Sequence, residues 1–215
     1  MAATKKAQDA GMDLPKLNLK ETEIRIVGDT PLIVHAWSQK AIKEMLDKQM
    51  KRANAGKEAK NPDADYEQSL YKLEDGAYGF PSVGFKSAAV TACTSLAGMT
   101  KVAARQAFRV TGEMAKIKTV YNAKEMSVDM VRIEGEPEMR EDMVRVGMGT
   151  ADIRYRGQFF PWCATLHVLY NANVMSEGQI TNLFNTAGFA VGVGEWRPEK
   201  DGQYGCFHVD TKAKN

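Results

Sequence analysis

The stretch Gly188–Val209, GFAVGVGEWRPEKDGQYGCFHV, limits the possible folds of this chain more than any other. Gly192, Gly194, Gly202 and Gly205 punctuate it, and Trp196, Arg197 and Lys200 stand between them. Glycine reaches positive φ without steric cost and lets a second backbone or a ligand come close. A helical pattern runs into the stretch. Ser176 and Gln179 form an S-x-x-Q capping box. Ile180, Leu183, Phe184 and Ala187 follow at helical spacing, and Gly188 is expected as the C′ residue that ends the helix. A strand pattern runs out of it over residues 205–210, with Phe207 and Val209 on one face. This order, helix then glycine loop then strand, excludes a P-loop or a dinucleotide fingerprint, whose loops follow a strand and open a helix.

Upstream, Glu23–Val27 alternates as a half-buried strand, with Ile24 and Ile26 on one face. Leu32–Val34 resumes the extended run after Asp29-Thr30-Pro31. A helix is expected from Ser38, with Ile42, Met45, Leu46 and Met50 on one stripe. Residues 54–65 are polar and read as an exposed insertion, and Tyr66–Tyr71 adds a helical turn. Pro81 and Ser82 start a second helix over about 83–97, with Phe85, Ala89, Cys93 and Leu96 as its inner stripe. Short strands are expected at Ala107–Thr111 and Ile117–Tyr121. Met130–Ile133 and Met143–Val146 read as the arms of a hairpin around the acidic turn EGEPEMRED. Ile153–Phe160 alternates, with Arg154, Arg156 and Gln158 on one side. Cys163–Tyr170 is the strongest strand, rich in β formers and free of breakers.

The chain has 215 residues, of which 44% are hydrophobic and 26% charged, so a packed core is expected. Net charge is only +2, and any basic surface must come from uneven distribution. Residues 1–20 are polar and Lys-rich and are expected as a flexible arm. Residues 21–211 then form one domain with insertions at about 38–76 and 100–150. No apolar run is long enough for a membrane helix, and the N-terminus lacks a secretory core. The three cysteines lack metal-type spacing and read as reduced thiols of a bacterial or phage-infected cytoplasm. No metal and no cofactor are expected.

The element order embeds β-α-β-β-α-β, the ferredoxin-like split βαβ of RRM-type domains. The fold class is therefore α+β: an antiparallel sheet with two core helices on one face, a helical insertion and a thumb-like β-hairpin insertion. The other face is open, with Arg25, His208, His167 and an arginine of Ile153–Phe160 expected on it.

Three places resemble the RAMP superfamily, the proteins that form backbone and processing subunits of CRISPR effector complexes. Ile24–Val34, IRIVGDTPLIV, looks like the family's first strand and T-P-L segment. Gly79–Ala89, GFPSVGFKSAA, is similar to its lead into the first helix, with Lys86 at the lysine position. The helix at 176–187 and the glycine loop with its strand look like the family's second helix, loop and last strand. The loop lacks the family's doubled Gly-Arg pattern, so the resemblance implies a diverged member, of the kind a phage encodes. It also implies a protein that polymerises along RNA.

The residues themselves fit a non-enzymatic single-strand binder of RNA or DNA that forms homo-oligomers. Glycine-loop amides contact phosphates, and Gly192 and Gly194 shape them. Arg197 and Lys200 add charge, Trp196 stacks a base, and Lys86, Arg109, Arg154 and Arg156 extend the cationic track. The competing reading of the loop pairs Arg197 with Glu195 or Glu199 and packs Trp196 on the core. Two other functions remain open at this point: an assembly protein such as a virion component without nucleic acid, and an RNA endonuclease with His35 as general base.

Overall fold

Alternating strands fix the sheet, and the computed structural model describes it over residues 16–52, 59–95, 98–145 and 147–211. The expected arm up to residue 15, Leu96 of the second helix, Val146 and the last four residues lie outside this range. β1 (Leu19–Gly28) buries Ile24 and Ile26, as its alternation requires. β2 (Leu32–Val34) follows, then α1 (Gln39–Gln49), capped by the Ser38 side chain. α2 (Pro62–Ser69) starts at a proline behind the cap Asn61. β3 (Gly79–Pro81) leads directly into α3 (Ser82–Ala92), whose Phe85, Ala89 and the following Cys93 are fully buried. α4 (Lys101–Ala107) carries Thr100 as its cap and runs into β4 (Phe108–Thr111). β5 (Glu113–Lys118), β6 (Glu125–Glu134), β7 (Pro137–Arg145), β8 (Ala151–Phe159) and β9 (Cys163–Asn171) come next. α5 (Glu177–Ala190) and β10 (Phe207–Val209) close the fold.

The central strands lie in the order β10-β1-β9, and β9 pairs beyond them with β4, antiparallel throughout. With α3 after β1 and α5 after β9, this is the ferredoxin-like arrangement that the sequence order implied. The outer edge of β9 is shared: β4 takes Tyr170 to His167, and β6 takes Ala164 and Cys163. α3 and α5 pack side by side on one face, where Phe85, Phe108, Leu166, Ile180, Phe184 and Phe207 are the large buried side chains. Each contributes about 1.5–3 kcal/mol of burial. The S-x-x-Q capping box of α5 is present in full.

Gly188 does not end α5, which runs to Ala190. It lies where the helix presses on the last strand: a Cβ there would stand 1.8 Å from the Phe207 carbonyl oxygen. Gly192, at φ +69°, follows the helix instead, and its N–H donates to the Ala187 carbonyl at 2.8 Å.

The central region differs most from expectation. Residues 130–133 and 143–145 are not two arms of one hairpin. β6 belongs to the main sheet, while β7 pairs with β8 in a separate sheet ordered β2-β8-β7. Much of the acidic segment is strand, not turn. The hairpins are β5–β6 and β7–β8, so the strand expected at 117–121 sits at 113–118. The stripe of α1 is only partly covered: Ile42 and Leu46 are half-buried, no residue of this helix is buried, and Met45 and Met50 are exposed. The second helix stops at Ala92 and continues as a 3-10 turn, Cys93–Ser95.

Candidate functional site

Parity along β1, β9, β4 and β10 turns Glu23, Arg25, Cys163, His167, Arg109 and His208 to the face opposite the helices. The expected trio of Arg25, His167 and His208 is therefore on one face. The arginines of β8 are not, because β8 lies in the other sheet. The face is charge-compensated. Arg25 donates twice to Glu134, at 2.9 Å each, and reaches Cys163 Sγ at 3.0 Å. These hydrogen bonds hold the Glu134 carboxyl below its ordinary pKa. His167 Nδ1 lies 3.3 Å from Glu23, and His208 Nδ1 lies 2.6 Å from Asp29. Arg109 is exposed there and has no ion pair among the described residues.

The glycine loop is tied to the end of β2. Val193 N–H donates to Gly205 O at 3.0 Å, Glu195 N–H to Ile33 O at 2.9 Å and Gly205 N–H to Pro31 O at 2.8 Å. Gly194, at φ +79°, passes so near Ile33 that a Cβ would lie 2.5 Å from its carbonyl oxygen. The amides of Gly192, Val193 and Glu195 are thus bonded internally, and the loop faces outward with side chains. Arg197 is taken up by Glu199, at 2.7 and 3.0 Å, and by the Gly194 carbonyl at 3.0 Å. Trp196 is 41% exposed. Its φ of +56° lies in the left-handed region, unusual for a bulky residue. Lys200 is exposed and Lys86, on α3, half-buried; neither has an ion pair among the described residues.

A cavity of about 340 Å³ opens between this loop and the first turns of α3. Val83, Gly84, Ser87 and Ala88 form one wall, and Val191 to Glu195 the opposite one. Tyr71 and Phe80, packed edge to face at 5.8 Å between ring centres, line it together with His35. Arg197 and Glu199 stand at the loop side. Burial, and then the Arg156 charge, push the His35 pKa down. Burial and the Glu195 charge push the Tyr71 phenol up. Val83, at this opening, is exposed, and so is Trp37, two residues beyond His35. Tyr71, Glu195 and Glu199 had no motif that marked them as site residues. Only their adjacency in the fold brings them together.

Behind Glu195 lies a charged ladder on one face of β7 and β8. Arg156 is 1% exposed. It lies 3.4 Å from Asp142 and 3.9 Å from Glu195, and its Nε has no partner among the described residues. Burial pushes its pKa down. Arg140 binds Asp142 at 2.9 Å and lies over the Tyr204 ring at 4.8 Å. Arg154 faces Asp152 at 3.7 Å. Gly192, Gly194 and Arg197 thus line the cavity and Trp196 and Lys200 share their loop, whereas Arg109 lies on the sheet face and Arg154 and Arg156 on the second sheet. No group of three or more potential metal ligands forms among the described residues, and no helix there is long and apolar enough to cross a membrane.

No family model matches the chain, and no curated protein matches it in sequence. Among solved structures, the crystal structure of Cmr6 from Pyrococcus furiosus is similar, with a TM-score of 0.39 and 11% identity. The match covers 91% of this chain and 100% of that one.

Proposed function

We propose that this protein binds single-stranded nucleic acid without cleaving it and oligomerises along the strand. The observation that carries this reading is Trp196: an indole exposed on a rigid loop, in a backbone conformation that bulky residues seldom take. Strain of this kind persists where the surroundings enforce it, and it clusters at binding sites. A fixed, exposed aromatic face is what base stacking uses. Lys200 of the same loop and Lys86 on α3 are cations without acidic partners among the described residues. The resemblance of residues 24–34 and 79–89 to RAMP proteins supports the same reading. The exposed Met45 and Met50 of the α1 stripe and the exposed Met139, Met143 and Met148 of the β7–β8 hairpin provide apolar surface for contacts between copies.

A labelled single strand titrated with protein tests the reading. Affinity falls steeply with salt as phosphate neutralisation releases counterions, and Trp196→Ala weakens binding. Absence of binding, or a flat salt response, refutes the proposal. Light scattering before and after nuclease treatment tests oligomerisation: particles that persist without nucleic acid favour the assembly-protein reading instead.

One observation favours a cleavage reading: His35 lines the cavity, and burial there favours its neutral form. Its nearest carboxylate oxygen is Glu195 Oε1, 3.9 Å from Nδ1, too far for the hydrogen bond that orients a catalytic base. RNA cleavage that His35→Ala abolishes would establish that function in place of the one proposed.

A further inference from the structure

The glycine-loop cavity is chemically unsuited to a phosphate. Its one arginine, Arg197, is neutralised by Glu199. Burial disfavours the charged form of its histidine. What remains inside is the Glu195 carboxylate. Oε1 lies 3.9 Å from His35 Nδ1 and Oε2 lies 3.9 Å from Arg156 Nη2, both beyond hydrogen-bond length. The side chain of Glu195 has no hydrogen bond among the described residues. A carboxylate with unused acceptors next to apolar walls calls for a ligand that is flat and carries donors on one edge. The Tyr71 and Phe80 rings and the Val83, Val191 and Val193 side chains supply those walls. The volume of about 340 Å³ is at the small end for ligand pockets.

Among nucleic-acid components, guanine meets this description. Its N1–H and its 2-amino group are adjacent parallel donors, the geometry that a carboxylate accepts in a bidentate pair. Adenine and cytosine each set an amine beside a ring acceptor, which would face the second carboxylate oxygen. Uracil and thymine flank a single N–H with carbonyls. We infer that the cavity is a base-reading pocket that takes one guanine out of the bound strand, with Glu195 accepting from its N1–H and 2-amino group. The inference rests on the proposed single-strand binding. It moves the recognition role of the loop from phosphate to base and leaves charge contacts to Lys86 and Lys200 outside.

The test uses the full chain and pyrimidine dodecamers, in RNA and DNA form, carrying one central guanine, inosine or adenine. Guanosine alone is titrated in parallel by calorimetry. The guanine strand binds on the order of 5- to 150-fold tighter than the adenine strand, the discrimination of one good bidentate contact. Inosine, without the 2-amino group, falls between them, and this comparison needs no protein variant. Glu195→Gln removes the preference and leaves adenine-strand affinity in place. Equal affinity for all three strands overturns the pocket while single-strand binding stands. Guanosine binding that Glu195→Gln abolishes, without strand binding, supports the pocket and refutes the proposed function. Binding of neither overturns both.

Discussion

Gly202 is fitted against the backbone of Trp196: a Cβ at position 202 would stand 1.7 Å from the Trp196 carbonyl oxygen. The same carbonyl accepts from Tyr204 N–H at 3.0 Å. This close contact holds the exposed indole in its left-handed conformation. Gly202→Ala must therefore push the two segments apart, at a cost of about 1–3 kcal/mol. Urea denaturation checks the cost. In a Trp37→Phe background, which removes another exposed indole, Trp196 emission is expected to shift. If stability and emission both stay unchanged, the loop is not the rigid platform described.

Glu134 and Arg25 give a pH-dependent prediction. Two hydrogen bonds from Arg25, aided by Cys163, hold the Glu134 pKa below its ordinary 4.5. A carboxyl whose folded pKa is depressed adds stability above its unfolded pKa. That contribution is lost as pH falls through the folded value. Both side chains are well exposed, so the pair contributes less than about 1 kcal/mol. Glu134→Gln is expected to be slightly less stable than the parent at pH 7. The difference closes once the pH is well below 4.5 and the parent carboxyl is protonated. A gap of the same size at both ends of that range would show that the substitution acts by packing.

Features whose cause is local could be read in the sequence. The Ser176–Gln179 capping box, the alternation of β1 and the β-rich run of β9 each carry their signal within a few residues. With the element order, they were enough for the ferredoxin-like core. The error at β6 and β7 is one of partners: alternation shows that a segment is a strand but not which strand it joins. Arg156 shows the same limit. On an alternating strand it looks like an outward charge, but the ladder of Asp142 and Glu195 that encloses it comes from residues 14 and 39 positions away. The α1 stripe has a helical period, yet among the described residues it is only half covered, at Ile42 and Leu46. At the site, the loop was legible through its glycines, while the cavity, made by Tyr71, α3 and Glu195, depends on tertiary contact.

Arg156 and Asp142 are a buried pair, at 1% and 9% exposure. Asp142 also holds Arg140 at 2.9 Å. Asp142→Ala leaves the buried guanidinium with Glu195, 3.9 Å away, as its remaining counter-charge, and is expected to cost about 3 kcal/mol. Arg156→Met removes the buried charge together with its unpartnered Nε. It is expected to be neutral or stabilising by up to about 4 kcal/mol. Thermal and urea unfolding of the two variants check the asymmetry. If Arg156→Met is as damaging as Asp142→Ala, the guanidinium itself holds the two-sheet junction together.

Lys86 and Lys200 bear most directly on the proposed function. They stand on the two elements that wall the cavity, α3 and the glycine loop, outside its lining and without ion pairs among the described residues. A lysine that neutralises a phosphate releases counterions, and each such contact contributes roughly −0.7 to the slope of log K against log salt for a single strand. Lys86→Ala with Lys200→Ala is therefore expected to flatten that slope by roughly 1.4 if each lysine meets one phosphate. The loss in affinity should be the same for guanine- and adenine-bearing strands, because phosphate contacts carry no base information. Arg197→Ala is the contrasting variant. Its guanidinium already binds Glu199 and the Gly194 carbonyl, so its loss frees a carboxylate and loosens the loop without removing a phosphate contact. It is expected to lower affinity with little change in slope. Titrations of all three proteins across a salt series separate the cases. A slope that drops for Arg197→Ala and not for the lysine pair would put the backbone of the strand against Arg197 and not against the lysines.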